Sequence, residues 1–191
     1  MYVEVSFNYM HNKLAVDPSW TLFLDRDGTI NRRLINDYVK NISEFEFLPN
    51  ALEGIFELSP LFDTVVIVTN QQCIDREIIT HEELKLVHDH MMDGIKAAHG
   101  RIDQIYYCPH LAVLEPVCRK PNPGMAIQAQ EEFPNIKFEK SIMVGDTLSD
   151  MQFGQRLGMT TVLILDGTNT DIEADIKVND LKNLASYLIQ S

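Results

Sequence analysis

The stretch TLFLDRDGT, residues 21–29, places two aspartates directly after a short apolar run. Such a run is typical of a strand that is buried on both faces of a sheet. Four later runs are of the same kind: TVVIVTN (64–70), QIYYC (104–108), SIMVGD (141–146) and TTVLIL (160–165). Helical patterns alternate with these runs, near 50–59, 80–99, 123–133 and 149–157. This alternation predicts an α/β fold, a doubly wound, Rossmann-like parallel sheet with helices on both faces.

Polar groups follow three of these strands at the point where each strand ends. Asp25 and Asp27 follow the first run, Thr69 and Asn70 close the second, and Asp146 closes the run that starts at 141. Ligands of parallel sheets bind beyond the carboxyl ends of the strands, so these side chains should share one edge. Three carboxylates offer the hard oxygen ligands that suit Mg²⁺. The simpler interpretation of DRDG is an Asp-rich turn whose glycine takes a positive φ.

The length and charge of the chain limit its class and its partners. The 191 residues predict a single domain, 1–191. The chain has 16 basic and 28 acidic residues, which gives a formal net charge of −12 and argues against nucleic acid or anionic membrane as a partner. A small phosphorylated metabolite could still bind, provided that a divalent cation reverses the charge at one site.

Two features of the sequence bear on the compartment. We find neither a secretory signal nor an apolar run long enough to cross a membrane, so we expect a cytoplasmic protein. The three cysteines, Cys73, Cys108 and Cys118, are an odd number. We therefore expect no complete disulfide framework, which agrees with a reducing compartment.

Four short motifs occur in order along the chain: FLDRDGT (23–29), VTN (68–70), RKP (119–121) and VGDTLSD (144–150). With these motifs the sequence resembles the haloacid dehalogenase superfamily of phosphohydrolases. It is most similar to the small phosphatases that act on D-glycero-D-manno-heptose 1,7-bisphosphate or on histidinol phosphate. The similarity runs through residues 21–165 and leaves 1–20 as an N-terminal extension. The spacing between the motifs leaves no room for a cap domain, so the resemblance is to capless members.

The resemblance implies a specific chemistry at the strand ends. Asp25 would be the nucleophile that forms an aspartyl-phosphate, and Asp27 would be the general acid and then the general base. Asp25, the backbone carbonyl of Asp27, and Asp146 would hold Mg²⁺. Thr69 would donate to the phosphoryl oxygens, and Lys120 would add a positive charge.

The resemblance also implies a set of residues that bind the substrate. Backbone amides near Gly28 would donate to the phosphoryl group, and Asn70 is the alternative to its neighbour Thr69 as a further donor. Arg119 would bind the distal phosphate or polar end of the substrate. Arg26 is a second candidate for this role, and its alternative is a structural ion pair. Asp150 would orient the metal site or the nearby lysine rather than bind metal itself.

A zinc loop with the pattern CxH…CxC is a further property of the resembling phosphatases. Cys108, His110 and Cys118 match this pattern, but Pro116 stands where it has a further cysteine. Because structural zinc is nearly always four-coordinate, we favour a metal-free loop over zinc. Apolar residues would then pack this loop: Leu111, Val113 and Leu114. The loops around 32–42, 71–79 and 108–118 would enclose the substrate.

Two segments are not explained by the motifs. Residues 2–7 have a strand-like composition, so residues 1–20 could add an edge strand or contact a second copy of the chain. Four histidines fall on or beside the second predicted helix without an acidic partner at metal-binding spacing, and we expect them on a solvated face: His81, His88, His90 and His99.

The sequence thus predicts a Mg²⁺-dependent phosphomonoester hydrolase that works through an aspartyl-phosphate. Its substrate would be a small sugar phosphate such as D,D-heptose 1,7-bisphosphate, which the stretches IYYCPH and CRKPNPGM favour. Histidinol phosphate is the alternative substrate, because the loop from 108 to 118 has the compact length of that type. A non-catalytic phosphate-binding or regulatory module is the alternative from another class.

Overall fold

The computed structural model describes residues 14–189, which contain a six-stranded sheet. The strands are β1 (Thr21–Leu24), β2 (Thr64–Asn70), β3 (Gln104–Cys108), β4 (Ser141–Gly145), β5 (Thr160–Ile164) and β6 (Ile176–Val178). They lie in the order β3-β2-β1-β4-β5-β6, and all neighbours are parallel. This order reverses direction between β1 and β4, the place where doubly wound folds bind their ligands. The predicted fold class is confirmed.

Five helices connect and cover the strands. They are α1 (Ala51–Leu58), α2 (His81–Ala97), α3 (Gly124–Glu132), α4 (Leu148–Leu157) and α5 (Leu181–Ile189). The first four agree with the predicted helices. The elements β6 and α5, which follow the last of the long apolar runs, were not predicted from the sequence. The strand β6 has only three residues, none of them fully buried, so its sequence carries little of the signal of an inner strand.

The sheet has a separate apolar core on each face. Leu22 and Leu24 of β1 point into the larger core, which α1, α2 and α5 cover. Phe23 points to the opposite face, where α3 and α4 supply Met125 and Phe153. Because successive side chains of a strand alternate between faces, an uninterrupted apolar run such as TLFL is required in a sheet that is covered on both sides.

The helix α2 begins and is oriented by signals in its own sequence. The Thr80 side chain accepts a hydrogen bond from the backbone amide of Glu83, and the Glu83 side chain accepts one from the Thr80 amide. This capping box satisfies amides at the helix start that have no partner within the helix. His88 lies on the buried side of α2 beside Val87 and Met91, which corrects our expectation of a solvated histidine.

The connections that flank β2 hold few regular elements, and the structure describes all of their residues. The connection between β1 and β2 contains a loop, α1 and two single 3-10 turns, Ile42–Glu44 and Ser59–Leu61. In the connection between β2 and β3, all of which the structure describes, the only regular element is α2. This agrees with the predicted absence of a cap domain. Within residues 14–189 no helix combines the length and apolar character that crossing a membrane requires.

The N-terminal extension enters the described part of the chain at Leu14. Leu14, Val16 and Trp20 pack against the larger core as partly buried residues. The predicted strand-like segment 2–7 lies outside the described residues, and so does most of the surface suggested for contact with a second copy. That association stays a prediction.

Candidate active site

The carboxyl ends of β1, β2 and β4 meet at one edge of the sheet, where a cavity of about 240 Å³ opens. Asp146 lies beside this cavity, and carboxylate oxygens of Asp25, Asp146 and Asp150 come within 4.8 Å of one another. The cavity lining includes most of the residues that the sequence singles out: Asp25, Asp27, Thr69, Asn70, Arg119, Lys120 and Asp150. Among the other residues that line it is Arg33.

Lys120 joins the segment after β3 to the carboxylates of the site. Its ammonium group donates to the Val68 carbonyl at 2.6 Å and to Asp25 Oδ1 at 2.7 Å. It also lies 2.6 Å from Asp150 Oδ1. Two hydrogens of the ammonium group are thus donated, and the contact with Asp150 is an ion pair. Lys120 is buried, so this set of contacts fixes the orientation of the Asp25 carboxylate.

Asp150 is held from its other side by the start of α4. Its Oδ2 accepts hydrogen bonds from the Thr147 backbone amide, at 3.0 Å, and from the Thr147 hydroxyl. This pair forms a capping box at the helix start. The other oxygen of Asp150, Oδ1, has no hydrogen-bond partner among the described residues and lies beside the Lys120 ammonium group as an ion pair. Asp150 is thus placed next to Lys120, and its role of orienting that lysine stays a prediction.

Asp27 lies in a dense set of donors. Arg26 donates to both of its carboxylate oxygens at 2.9–3.0 Å, Asn31 donates to Oδ1 at 3.0 Å, and Gln71 donates to Oδ2 at 2.8 Å. Burial would raise the pKa of Asp27, but the Arg26 charge and these hydrogen bonds outweigh it and lower the pKa below its ordinary value. Asp27 is therefore an ionised carboxylate with a fixed orientation.

Arg26 has no exposed surface and does not line the cavity. This corrects its predicted place among the substrate-binding residues, because its side chain forms the alternative we named, an ion pair with Asp27. His88 of α2 lies behind it, with Nε2 at 3.0 Å from Arg26 Nη1. Since a guanidinium group only donates, Nε2 is the acceptor, and the imidazole is the neutral form with its proton on Nδ1.

Burial of His88 leads to a pH prediction. Burial and the Arg26 charge lower the pKa of His88 to about 3, against attractions from Asp27 and Asp89. Between pH 6.5 and about 3 the unfolded chain therefore binds a proton at His88 that the folded chain does not bind. The contribution of His88 to the free energy of unfolding consequently falls as the pH falls. We expect the wild type to lose about 2 kcal/mol more unfolding free energy than His88→Gln between pH 6.5 and 4.5.

Urea unfolding of both proteins at each pH measures this difference, and the glutamine oxygen retains an acceptor for Arg26. Between pH 7.5 and 8.5 the difference between the two proteins should be constant, which serves as the internal control. Parallel stability curves across the acid range would show that His88 is not the responsible group.

Gly28 allows Asp146 to approach the loop after β1. Its φ is +90°, and a Cβ atom at this position would lie 1.9 Å from Asp146 Oδ2. No side chain fits there, so glycine is required both by the backbone conformation and by the close carboxylate. The Gly28 amide itself donates to the Asn31 carbonyl at 2.7 Å. This corrects the expectation that it is free for a phosphoryl oxygen.

The two polar residues at the end of β2 have different surroundings. The Thr69 hydroxyl accepts a hydrogen bond from Gln71 at 2.8 Å and keeps its own hydrogen for another acceptor in the cavity. Asn70 exchanges hydrogen bonds with the backbone of Lys120, whose amide donates to Oδ1 at 3.0 Å while Nδ2 donates to its carbonyl at 3.2 Å. Asn70 thus positions the Lys120 segment, which corrects its predicted use as a phosphoryl donor.

Arg119 places an unused guanidinium group in the cavity wall. Its Nη1 is buried and has no hydrogen-bond partner among the described residues. A buried donor without a partner is uncommon in folded proteins. Arg119 Nη1 therefore has hydrogens available to an anionic or polar ligand in the cavity, which is the role suggested from the sequence.

The loop after β3 differs from its prediction. Cys108 and Cys118 form a disulfide with a Cα–Cα distance of 5.3 Å, because the loop between them returns to its starting point. The third cysteine, Cys73, is buried and unpaired. With Cys73 unpaired the cysteines form no complete disulfide framework, as expected, but the single Cys108–Cys118 bond was not predicted. His110 lies 3.2 Å from Asp75 instead of sharing a ligand set. The two sulfurs are bonded to each other, so this form offers no three-ligand zinc site, and zinc stays disfavoured.

The packing predicted for this loop is also wrong. Val113 is 83% exposed and Leu114 is 65% exposed, whereas Leu111 is partly buried. The loop is held by hydrogen bonds instead, among them those from the Leu111 amide to Asp75 and from the Ala112 amide to Gln72. The loop at 32–42 does reach the cavity as predicted, through Leu34 and the residues from 37 to 39.

Two contributors to the site, Gln71 and Arg33, were missed by sequence reasoning. Gln71 directly follows the VTN motif, so its position next to the end of β2 was a usable signal. Arg33 carries no such signal, because it lies in a loop whose path only the folded chain defines. Its Nη2 donates to Asp146 Oδ1 at 2.7 Å and to the Asp27 carbonyl at 3.0 Å.

Comparisons with known proteins agree with this geometry. A HAD-hydrolase-like family model matches residues 117–185. The D-glycero-alpha-D-manno-heptose-1,7-bisphosphate 7-phosphatase of Campylobacter jejuni is 35% identical over 170 residues, which cover 87% of this chain and 94% of that protein. The corresponding beta-heptose enzyme of Photorhabdus laumondii is 40% identical over 177 residues, which cover 85% and 92%.

Among solved structures, the D,D-heptose 1,7-bisphosphate phosphatase from B. bronchiseptica, complexed with magnesium and phosphate, superposes with a TM-score of 0.82. It is 30% identical, and the match covers 90% of this chain and 98% of that one. These similarities extend over nearly the whole length of the relatives. The chain is therefore a phosphatase, and it belongs to the haloacid dehalogenase-like family together with these heptose bisphosphate phosphatases.

Proposed function

We propose that this phosphatase removes the 7-phosphate of a D-glycero-D-manno-heptose 1,7-bisphosphate, with Asp25 as the nucleophile and Mg²⁺ as the cofactor. The observation that carries the proposal is the position of Asp25 in the cavity wall. One carboxylate oxygen is held by Lys120, Asp27 lines the same cavity, and a carboxylate oxygen of Asp146 lies within 4.8 Å of one of Asp25. The substrate is supported by the heptose bisphosphate phosphatase activity for which the similar proteins are named.

The donor set at the sheet edge fits a divalent cation. Burial raises the pKa of Asp25 to about 6, and it raises that of Asp146 to about 8 with a further contribution from the Asp25 charge. Lys120 opposes the first shift and Arg33 the second. Buried carboxylates that repel one another in this way are stabilised by a cation between them. Asp25, Asp146 and the backbone carbonyl of Asp27 would hold Mg²⁺, which masks the charge repulsion between nucleophile and phosphate.

The residues divide the displacement into two steps. A carboxylate oxygen of Asp25 forms a bond to phosphorus as the bond from phosphorus to the sugar oxygen breaks, and Asp27 gives its proton to the departing alkoxide. Water then attacks the phosphorus of the aspartyl-phosphate, Asp27 takes a proton from that water, and the bond to Asp25 breaks to release phosphate. Thr69 donates its hydroxyl hydrogen to a phosphoryl oxygen in both steps.

Asp27 must bind a proton before the first step, although its pKa is low in the structure. A phosphate group beside Asp27 raises the pKa, since a second negative charge disfavours ionisation. Arg26, Asn31 and Gln71 hold the carboxylate in one place through the proton exchange. Their contribution is orientation, because geometric placement of an acid or base is a large part of its effect.

Arg119 supports a substrate with a second anionic group. Its buried, unpartnered Nη1 lies in the wall of the same cavity as Asp25. A phosphate at the other end of the sugar would supply the missing acceptor, and a guanidinium group is well suited to bind it in a bidentate manner.

The test is a panel of substrates assayed for phosphate release with Mg²⁺ present: both anomers of the heptose 1,7-bisphosphate, histidinol phosphate and 4-nitrophenyl phosphate. We expect kcat/KM to be highest for one of the bisphosphates, with phosphorus NMR showing the 1-phosphate as the product. Arg119→Ala should lower kcat/KM for that bisphosphate by at least about tenfold more than for 4-nitrophenyl phosphate. A preference for histidinol phosphate would refute the proposed substrate and leave the phosphatase chemistry in place.

A further inference from the structure

A guanidinium group occupies the place where the proposed cation would bind. Arg33 Nη2 lies 2.7 Å from Asp146 Oδ1, 3.0 Å from the Asp27 carbonyl oxygen and 4.0 Å from Asp25 Oδ2. These contacts involve the same three residues, Asp25, Asp27 and Asp146, that we propose as the ligands of Mg²⁺. The coincidence extends to the atoms, because it includes the backbone carbonyl of Asp27 and not its carboxylate.

The charges of the site explain why an arginine is stable there. Lys120 compensates Asp150 and one oxygen of Asp25, which leaves Asp146 and the second Asp25 oxygen to face a different cation. Arg33 supplies it, since Nη2 lies between these two carboxylates. Two buried carboxylates without a positive charge would be unfavourable, so the contact stabilises the folded chain.

Arg33 is also free to leave, unlike Lys120. Its side chain is 40% exposed, whereas that of Lys120 is 2% exposed, donates two hydrogen bonds and also pairs with Asp150. A second cavity, of about 420 Å³, opens on the other side of Arg33, which lines both. The side chain therefore has space on either side of its present position.

Arg33 and a divalent ion cannot occupy this place together. Both carry positive charge, and both require the inward-facing oxygens of Asp146 and Asp27 at contact distance. Mg²⁺ binds oxygen at about 2.0–2.1 Å, which is closer than a hydrogen-bonded nitrogen and excludes it from the same oxygens.

We propose that Arg33 is a tethered cation that holds the carboxylates of the site until a divalent ion displaces it, and so raises the ion concentration at which the site loads. This inference rests on the proposed function for the location of the ion. It assigns to the loop at 32–42 a role in setting the response of the enzyme to free Mg²⁺.

The neighbouring Arg32 provides a matched control. It has the same charge, but it is 65% exposed and pairs with Glu46 on the surface. Substituting either arginine by glutamine changes the net charge by the same amount. A difference between Arg33→Gln and Arg32→Gln therefore reports the position of the charge and not the total.

The test measures Mn²⁺ binding to the full chain without substrate, by the loss of the electron paramagnetic resonance signal of free Mn²⁺. We expect Arg33→Gln to bind Mn²⁺ on the order of tenfold more tightly than the wild type and Arg32→Gln to bind within about twofold of it. Asp146→Asn should weaken the same binding, which identifies the site being titrated. In EDTA, Arg33→Gln should unfold at a lower temperature than Arg32→Gln.

The outcomes separate the two proposals. If the wild type and Arg33→Gln bind Mn²⁺ with equal affinity, or if Arg33→Gln binds more weakly, Arg33 does not compete with the ion and this inference is overturned while the proposed function stands. If neither protein binds Mn²⁺ at a site sensitive to Asp146→Asn, the proposed metal site is wrong and the inference falls with it.

Discussion

Asp25→Asn is expected to reduce phosphate release on the order of 10⁴-fold or more, below the detection limit of a steady-state assay. The amide has the shape of the carboxylate but neither its charge nor its nucleophilic oxygen, so no aspartyl-phosphate forms. The variant should still fold, because the substitution removes one of several buried carboxylates that repel one another and leaves Lys120 paired with Asp150. Circular dichroism and thermal unfolding measure that directly.

The matched control for this substitution is Asp89→Asn. Asp89 lies on the exposed side of α2 and pairs with Lys85 at 2.6 Å. Its loss should change kcat/KM by less than about twofold, since a surface ion pair contributes little. An Asp25→Asn enzyme that retains more than about 1% of wild-type activity would be inconsistent with Asp25 as the nucleophile.

Lys120→Met is expected to have the largest effect on stability. The change removes a buried cation from between Asp25 and Asp150, which leaves Asp150 and the Oδ1 atom of Asp25 without an ion-pair partner. Breaking a buried ion pair by removing one partner costs about 3–5 kcal/mol, so we expect a loss of unfolding free energy in this range. Activity should also fall below detection, because the ammonium group orients the Asp25 oxygen. Chemical denaturation in EDTA gives the stability without a contribution from bound ions.

Two further variants separate the charge effect from general damage to the fold. Lys85→Met removes an exposed lysine and should change the unfolding free energy by less than about 0.5 kcal/mol. Lys120→Met combined with Asp150→Asn removes one of the uncompensated charges and should recover part of the lost stability. If the double variant is no more stable than the single one, the cost comes from packing and not from unpaired charge.

The fold could be predicted from local patterns because each pattern depends on residues that are neighbours in the chain. The run TLFL and the four later apolar runs correspond to β1 to β5, and the Thr80–Glu83 spacing sets the start of α2. The short strand β6 was missed, since it is held by its pairing with β5 and has too few buried residues to form a recognisable pattern.

The sequence by itself also determined which strand ends carry the chemistry, since the carboxyl ends of parallel strands lie at one edge of the sheet and bring Asp25, Thr69 and Asp146 there. Only the tertiary structure decided what each side chain does there. It paired Arg26 with Asp27 and His88 inside the protein, joined Cys108 to Cys118, and brought Arg33 between carboxylates from two strand ends. The physical reason is distance along the chain: a local pattern reports burial and backbone conformation, whereas a hydrogen bond or ion pair between remote segments depends on where both of them end in space.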